Sequence, residues 1–383
     1  MKKILIVVTD TNVGGITTSA YNFMSELYKR GHEVTFLDLS AQVNNSEVNA
    51  AIKQIFLRGR AKYWRLGKDA IVSSPFAKKL FLLIIGVFKK ITNRSGIWNY
   101  LIFKKMSDKY DVAVAFRQCS PCYSFVLNKV NADKKIGFVH GDIDFMGDVS
   151  SWQPMMQRFD KIAYVSNSAK KHFIRQYPDL KKNAHIVYNM FNYLEIKEKS
   201  LLPGKFHTNN NERNIVTVAR IDNSSKQIDW IPCICKKIRK RTNIPFHWYV
   251  LGDGPDMDVV KELSRNNGTD DVLTFTGNVV NPYPVLKTAY LGVLTSKTEG
   301  YPMVVIETLS LGIPMVVTHY ASAPEQINDG IDSLIVEIQI DSVVNAIIDM
   351  LSNRDGIYDK CKQALSDRKF DNDLPYSQLM DCI

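Results

Sequence analysis

Short apolar runs recur along the chain, and each is followed by a loop and then by a segment whose apolar residues lie three and four positions apart. In the first repeat, the run Ile4 to Val8 precedes a loop and the segment Ile16 to Arg30. Gly31 ends that segment, and a second apolar run, Val34 to Leu39, comes next. A buried strand, an amphipathic helix and a further strand in this order predict a β-α-β unit.

The same alternation resumes after the segment 51–110 and continues to Val317, with one further interruption. The polar segment Glu195 to Asn214, which contains Pro203, Gly204 and an asparagine run, predicts a linker. Strands alternating with helices predict an α/β fold with parallel sheets. The further predicted strands are Val112–Phe116, Ile136–Val139, Lys161–Val165, His185–Tyr188, Ile215–Ala219, Phe246–Leu251, Val272–Thr276, Leu291–Thr295 and Met315–Val317.

The length of 383 residues exceeds what one hydrophobic core usually serves. We therefore expect two Rossmann-like, doubly wound domains, 1–190 and 191–383, with the last helix a candidate to pack back on the first domain. No apolar run approaches the roughly 20 residues that a membrane-spanning helix needs, so no span is expected.

The stretch Leu291 to Thr318 contains two carboxylates in a strand-loop-helix-strand pattern. Glu299 falls in the loop and Glu307 in the helix predicted over Met303 to Leu311, where apolar neighbours make an unpartnered carboxylate costly. Hydroxyls of a sugar or ribose are suitable donors to both carboxylates, and the start of the helix offers free N–H groups to a phosphate. The alternative is a surface loop acid and an ordinary charge in the first half of a helix.

Other candidate residues also follow the ends of predicted strands, which is where open α/β sheets bind ligands. Each candidate also has an alternative role without a ligand. The adjacent glycines could serve a tight turn, the histidine could be structural, and the cations could be solvated loop residues. A dinucleotide site is disfavoured because the first loop lacks G-x-G-x-x-G. The candidates are Gly14, Gly15, His140, Arg220, Lys226, Gly252, Asp253 and Gly277.

The six cysteines include one C-x-x-C, formed by Cys119 and Cys122. This pair could be redox-active or half of a zinc site, but no second half is present, so ordinary buried thiols are the favoured interpretation. The cysteine pattern fits a reducing, cytoplasmic compartment.

Positive charge is concentrated between Ala51 and Tyr110. This segment has fourteen Lys or Arg and two acidic residues. Its net positive charge therefore exceeds the net charge of +10 on the whole chain. Such asymmetry indicates an anionic partner, either a membrane surface or nucleic acid. Aromatic and aliphatic residues lie among the cations of Phe76 to Met106, which favours the membrane.

In order and spacing, the motifs resemble those of the retaining glycosyltransferases of family 4, whose two-Rossmann-domain architecture is called GT-B. The resemblance covers nearly the whole chain. Its carriers are G-G at Gly14 and Gly15, H-G at His140, V-A-R-x5-K at Arg220 and Lys226, G-D-G-P from Gly252, T-G-N-V from Thr276, and E-G-Y-P-x4-E from Glu299 to Glu307.

This resemblance implies two domains facing across a cleft, a first that binds the acceptor and a second that binds a nucleotide sugar, UDP-linked in our interpretation. Glu299 would contact donor-sugar hydroxyls, Glu307 the ribose, Arg220 and Lys226 the diphosphate, and His140 the sugar. The base would lie on the backbone near Asn278 and Val279, and the remaining substrate-binding candidates are Gly300, Tyr301, Pro302, Met303 and Val304.

Transfer would retain the anomeric configuration and need neither metal nor cofactor. The acceptor would be a lipid-linked or cell-surface polysaccharide or wall polymer, and the enzyme would lie on the inner face of the cell membrane, without a nucleic-acid partner. Two other functions are considered: a noncatalytic GT-B partner subunit, and a nucleic-acid-binding protein that uses the basic segment. A noncatalytic partner subunit should have lost Arg220, Lys226 or Glu299. All three residues are present, which disfavours that function.

We predict that the protein binds anionic vesicles through Phe76 to Met106, because each Lys or Arg near such a surface contributes about 1 kcal/mol. Sedimentation with liposomes should require anionic lipid and decrease with salt. Replacement of Lys78, Lys79, Lys89 and Lys90 by Gln should abolish it. Equal sedimentation with neutral and anionic vesicles, or none with either, would reject the membrane role and leave the alternative, a core helix of the first domain bounded by lysines.

Overall fold

The computed structural model describes residues 1–9, 14–40, 48–55, 104–204 and 212–383. Most of the basic segment, including nearly all of the membrane-binding element expected at 76–106, lies outside the described residues. Contacts within the chain define two compact units. Unit 1 comprises Met1–Phe191 and Asn372–Ile383, and unit 2 comprises Asn192–Asp371.

Unit 1 contains a parallel sheet of seven described strands in the order β3-β2-β1-β4-β5-β6-β7. The strands are β1 (Lys3–Val8), β2 (Glu33–Asp38), β3 (Lys53–Ile55), β4 (Lys109–Ala115), β5 (Asn131–Val139), β6 (Lys161–Tyr164) and β7 (Ala184–Ile186). The helices described around it are α1 (Gly15–Lys29), α2 (Ser120–Lys129) and α3 (Asn167–Gln176), with 3-10 turns at Ile143–Phe145, Gln153–Arg158 and Pro178–Asn183.

The unit 1 core forms because its central strands are apolar on both faces. Residues Ile4 to Val8 of β1 are all buried, as expected for a strand covered by helices on each side of a parallel sheet. Helix α1 contributes Ala20, Phe23, Met24 and Leu27, whose spacing places them on one face.

Unit 2 contains a parallel sheet of six described strands in the order β10-β9-β8-β11-β12-β13. They are β8 (Arg213–Val218), β9 (Phe246–Leu251), β10 (Leu273–Gly277), β11 (Leu291–Leu294), β12 (Met315–Thr318) and β13 (Leu334–Val336). The helices are α4 (Tyr193–Ser200), α5 (Asn223–Lys226), α6 (Trp230–Arg241), α7 (Met257–Asn267), α8 (Tyr283–Lys287), α9 (Met303–Ser310), α10 (Ile340–Ser352) and α11 (Ile357–Asp367), with 3-10 turns at Ala323–Glu325 and Arg354–Gly356.

One face of the unit 2 sheet is covered by α6 and α10, and Trp248 of β9 is completely buried in this core. The indole N–H of Trp248 donates to Thr217 Oγ1 of β8 at 3.1 Å, and Thr217 Oγ1 donates to the Val293 carbonyl of β11 at 2.7 Å. These bonds satisfy the polar side-chain atoms of Trp248 and Thr217 and join β9, β8 and β11.

The final helix, α12 (Asp373–Met380), contributes to unit 1. Arg30 Nη2 donates to Asp373 Oδ1 at 2.8 Å, and its guanidinium lies 4.2 Å from the Tyr376 ring centre. The Asn372 amide donates to Glu26 Oε2 and to the Phe191 carbonyl at 3.0 and 2.8 Å. These contacts fix α12 beside the end of α1.

The predicted α/β class with two doubly wound parallel sheets is confirmed. The predicted linker is wrong at its start, because Glu195 to Ser200 belong to helix α4. Asn192 caps this helix, since its side chain accepts a hydrogen bond from the Glu195 N–H. Among the residues that the structure describes, no helix is both long enough and apolar enough to cross a membrane.

Candidate functional site

The strand order of the unit 2 sheet reverses between β8 and β11, which lie side by side with a long crossover between them in sequence. In open α/β sheets, a ligand crevice forms at such a reversal, outside the carboxyl ends of the strands. Arg220 follows β8 and Glu299 follows β11. The structure therefore brings the cation and carboxylate loops of the sequence analysis to one edge of one sheet.

Lys226 and Glu299 form a direct ion pair at this edge. Lys226 Nζ lies 2.5 Å from Glu299 Oε1, and the side chains are 22% and 10% exposed. Ser296 Oγ donates to the same carboxylate oxygen at 2.6 Å. The two residues predicted to bind different parts of a donor are thus partners of each other.

The main chain around this ion pair is also held by β11 and its loop. Thr295 Oγ1 donates to the carbonyls of Lys226 and Gln227 at 2.9 and 3.3 Å. The Lys297 N–H donates to the Ser225 carbonyl at 2.8 Å. The short helix α5, which ends at Lys226, is consequently fixed to the loop that carries Glu299.

Arg220 is exposed and sits on a loop that packs against the G-D-G turn. The Ile221 N–H donates to the Asp253 carbonyl at 3.0 Å. A Cβ added to Gly252 would lie 1.9 Å from the Ala219 carbonyl oxygen, and one added to Gly254 would lie 2.1 Å from that of Ile221. Packing therefore explains both glycines, because a residue without a Cβ is needed for the G-D-G turn to lie this close to the loop after β8.

Helix α9 begins at Met303, directly after the loop that carries Glu299. Pro302 is its N-cap, no side chain caps the helix, and its first turn has no acidic residue. Gln326 Nε2 donates to the Pro302 carbonyl at 3.0 Å and fixes the entry of the chain into the helix. The N–H groups at the start of α9 therefore lie close in sequence to Glu299 and form a suitable anion site.

Glu307 is buried in the middle of α9, as its apolar neighbours predict. The Tyr283 hydroxyl of α8 donates to Glu307 Oε1 at 3.2 Å. Burial raises the pKa of Glu307 from 4.5 to about 7, and the bond from Tyr283 offsets part of this increase. One donor is a small number for a buried carboxylate with two oxygens, so further hydroxyl donors would be favourable here.

The T-G-N-V turn lies at the end of β10 and bonds to the G-D-G turn. Gly277 has a φ of +71°, and its carbonyl accepts from the Gly252 N–H at 2.9 Å. Asn278 is exposed, whereas Val279 packs against the apolar cluster that includes Tyr249. The backbone predicted to contact a base is therefore at the same edge of the sheet as Arg220.

In unit 1, His140 follows β5 and is held by the loop after β4. Its Nε2 donates to the Phe116 carbonyl at 2.6 Å, and its backbone N–H donates to Gln118 Oε1 at 3.3 Å. The ring stacks on Phe138 with 5.7 Å between centres. Burial lowers the pKa of His140 to about 4, so the imidazole is neutral near pH 7 and its Nδ1 can accept a hydrogen bond from a hydroxyl group.

Gly14 and Gly15 are exposed at the start of α1, after β1. Among the residues that the structure describes, a Cβ on Gly14 would meet no atom within 4 Å, so packing against them does not explain this glycine.

A carboxylate-histidine group lies just after His140. Asp142, Asp144 and His172 have potential metal-ligand atoms within 4.8 Å of one another. Asp142 Oδ2 accepts from His172 Nδ1 at 2.6 Å, and Arg175 Nη2 donates to Asp144 Oδ2 at 2.7 Å. These bonds connect the loop after β5 to α3. They give the three side chains a structural role that needs no metal ion. The expectation that no metal takes part stays a prediction.

Sequence reasoning missed Tyr283, Ser296 and Thr295. Ser296 lies three residues before Glu299, and this proximity in sequence only weakly indicates their hydrogen bond. Tyr283 lies 24 residues from Glu307, and nothing in the periodicity pairs them.

Comparison with known proteins gives a family match inside unit 2. The family model described as "Glycosyl transferases group 1" matches residues 212–353, which contain Arg220, Lys226, Glu299 and Glu307. This region of the chain is therefore similar to the group 1 glycosyl transferases. The family recognised from the motifs is confirmed at this level, and the finer assignment to family 4 stays a prediction.

Two curated relatives are similar over parts of the chain. N-acetyl-alpha-D-glucosaminyl L-malate synthase of Bacillus anthracis is 21% identical over 215 residues, 54% of this chain and 55% of that protein. Lipopolysaccharide 1,6-galactosyltransferase of Salmonella typhimurium is 31% identical over 88 residues, 22% of this chain and 24% of that protein. The chain thus spans about half, or less, of the length of these relatives.

A solved structure is similar over the whole chain. A mutant of S. aureus TarM, in complex with Fondaparinux, alpha-GlcNAc-glycerol and UDP, has a TM-score of 0.70 at 13% identity, covering 100% of this chain and 99% of that one. At this identity the likeness concerns the fold. The chain has the GT-B fold, and its group 1 region is the donor-site candidate.

The raised pKa of Glu307 predicts that unit 2 loses stability as pH rises. The folded protein binds more protons than the unfolded chain between pH 4.5 and about 7, so the free energy of unfolding falls across this window. Glu307→Gln, which resembles the protonated acid, should have similar stability to the wild type near pH 4.5 and exceed it by roughly 3 kcal/mol above pH 8.

Urea unfolding at both pH values, followed by fluorescence to which buried Trp248 contributes, measures this difference. Glu262→Gln, on an exposed position of α7, serves as the control and should follow the wild type at both pH values. If the free energy of unfolding changed with pH equally in Glu307→Gln and wild type, ionisation of Glu307 would not destabilise the folded protein, and the prediction would be wrong.

Proposed function

We propose that this protein is a glycosyltransferase that moves a sugar from a nucleotide-diphosphate-sugar donor, UDP-linked, to a glycan or lipid-linked acceptor. The donor site is the carboxyl edge of β8 and β11 in unit 2. The ion pair between Lys226 and Glu299 is the observation that carries the proposal.

This ion pair constrains the chemistry of any ligand that enters it. Both side chains are largely buried, so separating them leaves each charge without compensation. A ligand must therefore give Lys226 an anion and give Glu299 hydrogen-bond donors. A nucleotide sugar has both, because its diphosphate is anionic and its sugar carries several hydroxyls.

The surrounding residues extend this match along such a donor. Arg220 is an exposed guanidinium on the loop after β8, and its fork of donors is suited to phosphate oxygens. The loop residues Gly300 and Tyr301 and the start of α9 at Met303 and Val304 would contribute N–H groups to an anion. Glu307 and Tyr283 provide a buried carboxylate and a phenol for a ribose, and the backbone at Asn278 and Val279 remains the predicted base contact.

In the proposed reaction, the bond from the anomeric carbon to the phosphate oxygen breaks as the acceptor hydroxyl adds. The departing nucleoside diphosphate gains negative charge, which Arg220, Lys226 and the N-terminus of α9 would stabilise without a metal. The anomeric configuration is retained by departure and attack on one face, and the leaving phosphate oxygen accepts the hydroxyl proton. The contact between His140 and the sugar stays a prediction.

The acceptor is proposed to be a lipid-linked or cell-surface polysaccharide or wall polymer. A relative named for lipopolysaccharide and a fold neighbour holding alpha-GlcNAc-glycerol support this class. A location on the inner face of the membrane would bring the basic segment to anionic lipid and the acceptor to the enzyme.

A panel of nucleotide sugars tests the proposal through release of nucleoside diphosphate, with and without candidate acceptors. One UDP-sugar should be turned over, and a chelator should leave the rate unchanged. Glu299→Gln should reduce the rate by on the order of 100-fold or more, because a hydroxyl acceptor is lost and Lys226 loses its charged partner.

Glu262→Gln, an exposed carboxylate on α7, is the matched control and should retain wild-type turnover. Melting curves of both variants separate loss of chemistry from loss of folding. Turnover of no donor in the panel, or full activity of folded Glu299→Gln, would contradict the assignment.

A further inference from the structure

The C-x-x-C motif lies at the start of α2, immediately after the loop that follows β4. Cys119 is the N-cap of this helix in an extended conformation, and Cys122 is its third residue. The Tyr123 N–H donates to the Cys119 carbonyl at 3.1 Å and closes the first turn, while Pro121 occupies the second helical position. Spacing and geometry thus place both sulfurs on one helical turn, at its N-terminal end.

The two cysteines have different surroundings. Cys119 is partly exposed, whereas Cys122 is completely buried in the unit 1 core. The hydrogen bond from the Cys122 thiol lowers the pKa of Cys119, with a further contribution from Arg117, and burial raises the pKa of Cys122. A partly exposed cysteine whose thiol pKa is lowered, beside a buried thiol, is the arrangement of attacking and resolving cysteines in a dithiol site.

The other cysteines of the chain lack this arrangement. Cys233 and Cys235 are two residues apart in α6, and burial raises the pKa of Cys235 far above its usual value. Burial also raises the pKa of Cys361 and of Cys382 to about 11.

The dithiol lies beside the residues that hold His140. Gln118, the neighbour of Cys119, accepts from the His140 N–H, and the Phe116 carbonyl accepts from the His140 ring. A covalent bond at Cys119 would therefore form one residue away from a side chain that positions His140.

We propose that Cys119 and Cys122 are a redox-active dithiol that converts to an intramolecular disulfide by exchange with a small-molecule disulfide such as oxidised glutathione. The Cys119 thiolate attacks one glutathione sulfur and releases one glutathione thiolate. Cys122, once deprotonated, attacks the Cys119 sulfur and releases the second. Two protein thiols are oxidised and one glutathione disulfide is reduced to two thiols, so electrons and atoms balance.

Mass spectrometry in glutathione buffers of graded ratio tests this directly. After equilibration, free thiols are alkylated and the full-length protein is cleaved with trypsin. The peptide 118–129 contains Cys119 and Cys122, and the peptide 227–236 contains Cys233 and Cys235 as an internal control. With increasing oxidised glutathione, peptide 118–129 should lose both alkyl groups together, while peptide 227–236 remains doubly alkylated.

Single variants separate the two roles. Cys119→Ser should fold, because serine is favoured at an N-cap, and should acquire no glutathione at Cys122. Cys122→Ser should retain one glutathione on Cys119, because the resolving thiol is missing. The proposal is wrong if peptide 118–129 stays doubly alkylated at every ratio, if the control peptide oxidises equally, or if Cys119→Ser is glutathionylated as readily as Cys122→Ser.

Discussion

The ion pair between Lys226 and Glu299 connects the ends of the two strands between which the unit 2 sheet reverses its order. Lys226 ends the short helix after β8, and Glu299 lies in the loop after β11. Ser296 supports the carboxylate, and Thr295 holds the carbonyls of Lys226 and Gln227. Because two partly buried charges satisfy each other here, a ligand that binds at this edge must replace both partners.

The glycine turn after β9 and helix α9 lie at the same edge of the sheet as this ion pair. Gly252 and Gly254 let the turn after β9 approach the loop of Arg220 without a clash. Helix α9 starts beside the Glu299 loop and buries Glu307 against Tyr283. A pKa near 7 for Glu307 means that its ionised form is destabilising at this buried position, and hydroxyl donors from a ligand would offset that cost.

Much of the architecture could be predicted from the sequence because buried parallel strands are continuous apolar runs. The same reasoning placed Arg220, Lys226 and Glu299 at strand ends, and the parallel sheet brings such ends together. It could not predict the pairing of Lys226 with Glu299 or of Tyr283 with Glu307, since each depends on side chains distant in sequence. Helix α4 was missed because its eight residues, Tyr193–Ser200, are mostly polar and lie next to a Pro-Gly pair, which favoured a linker.

The central claim is that the carboxyl edge of β8 and β11 binds the diphosphate of a nucleotide sugar, and calorimetric titration with UDP and with uridine tests it most directly. Wild type should bind UDP more tightly than uridine, and Arg220→Ala should lose most of that difference. Arg265→Ala is the matched control, because this exposed arginine lies in the last turn of α7, at the opposite edge of the sheet. Equal affinity of wild type and Arg220→Ala for UDP would contradict the account.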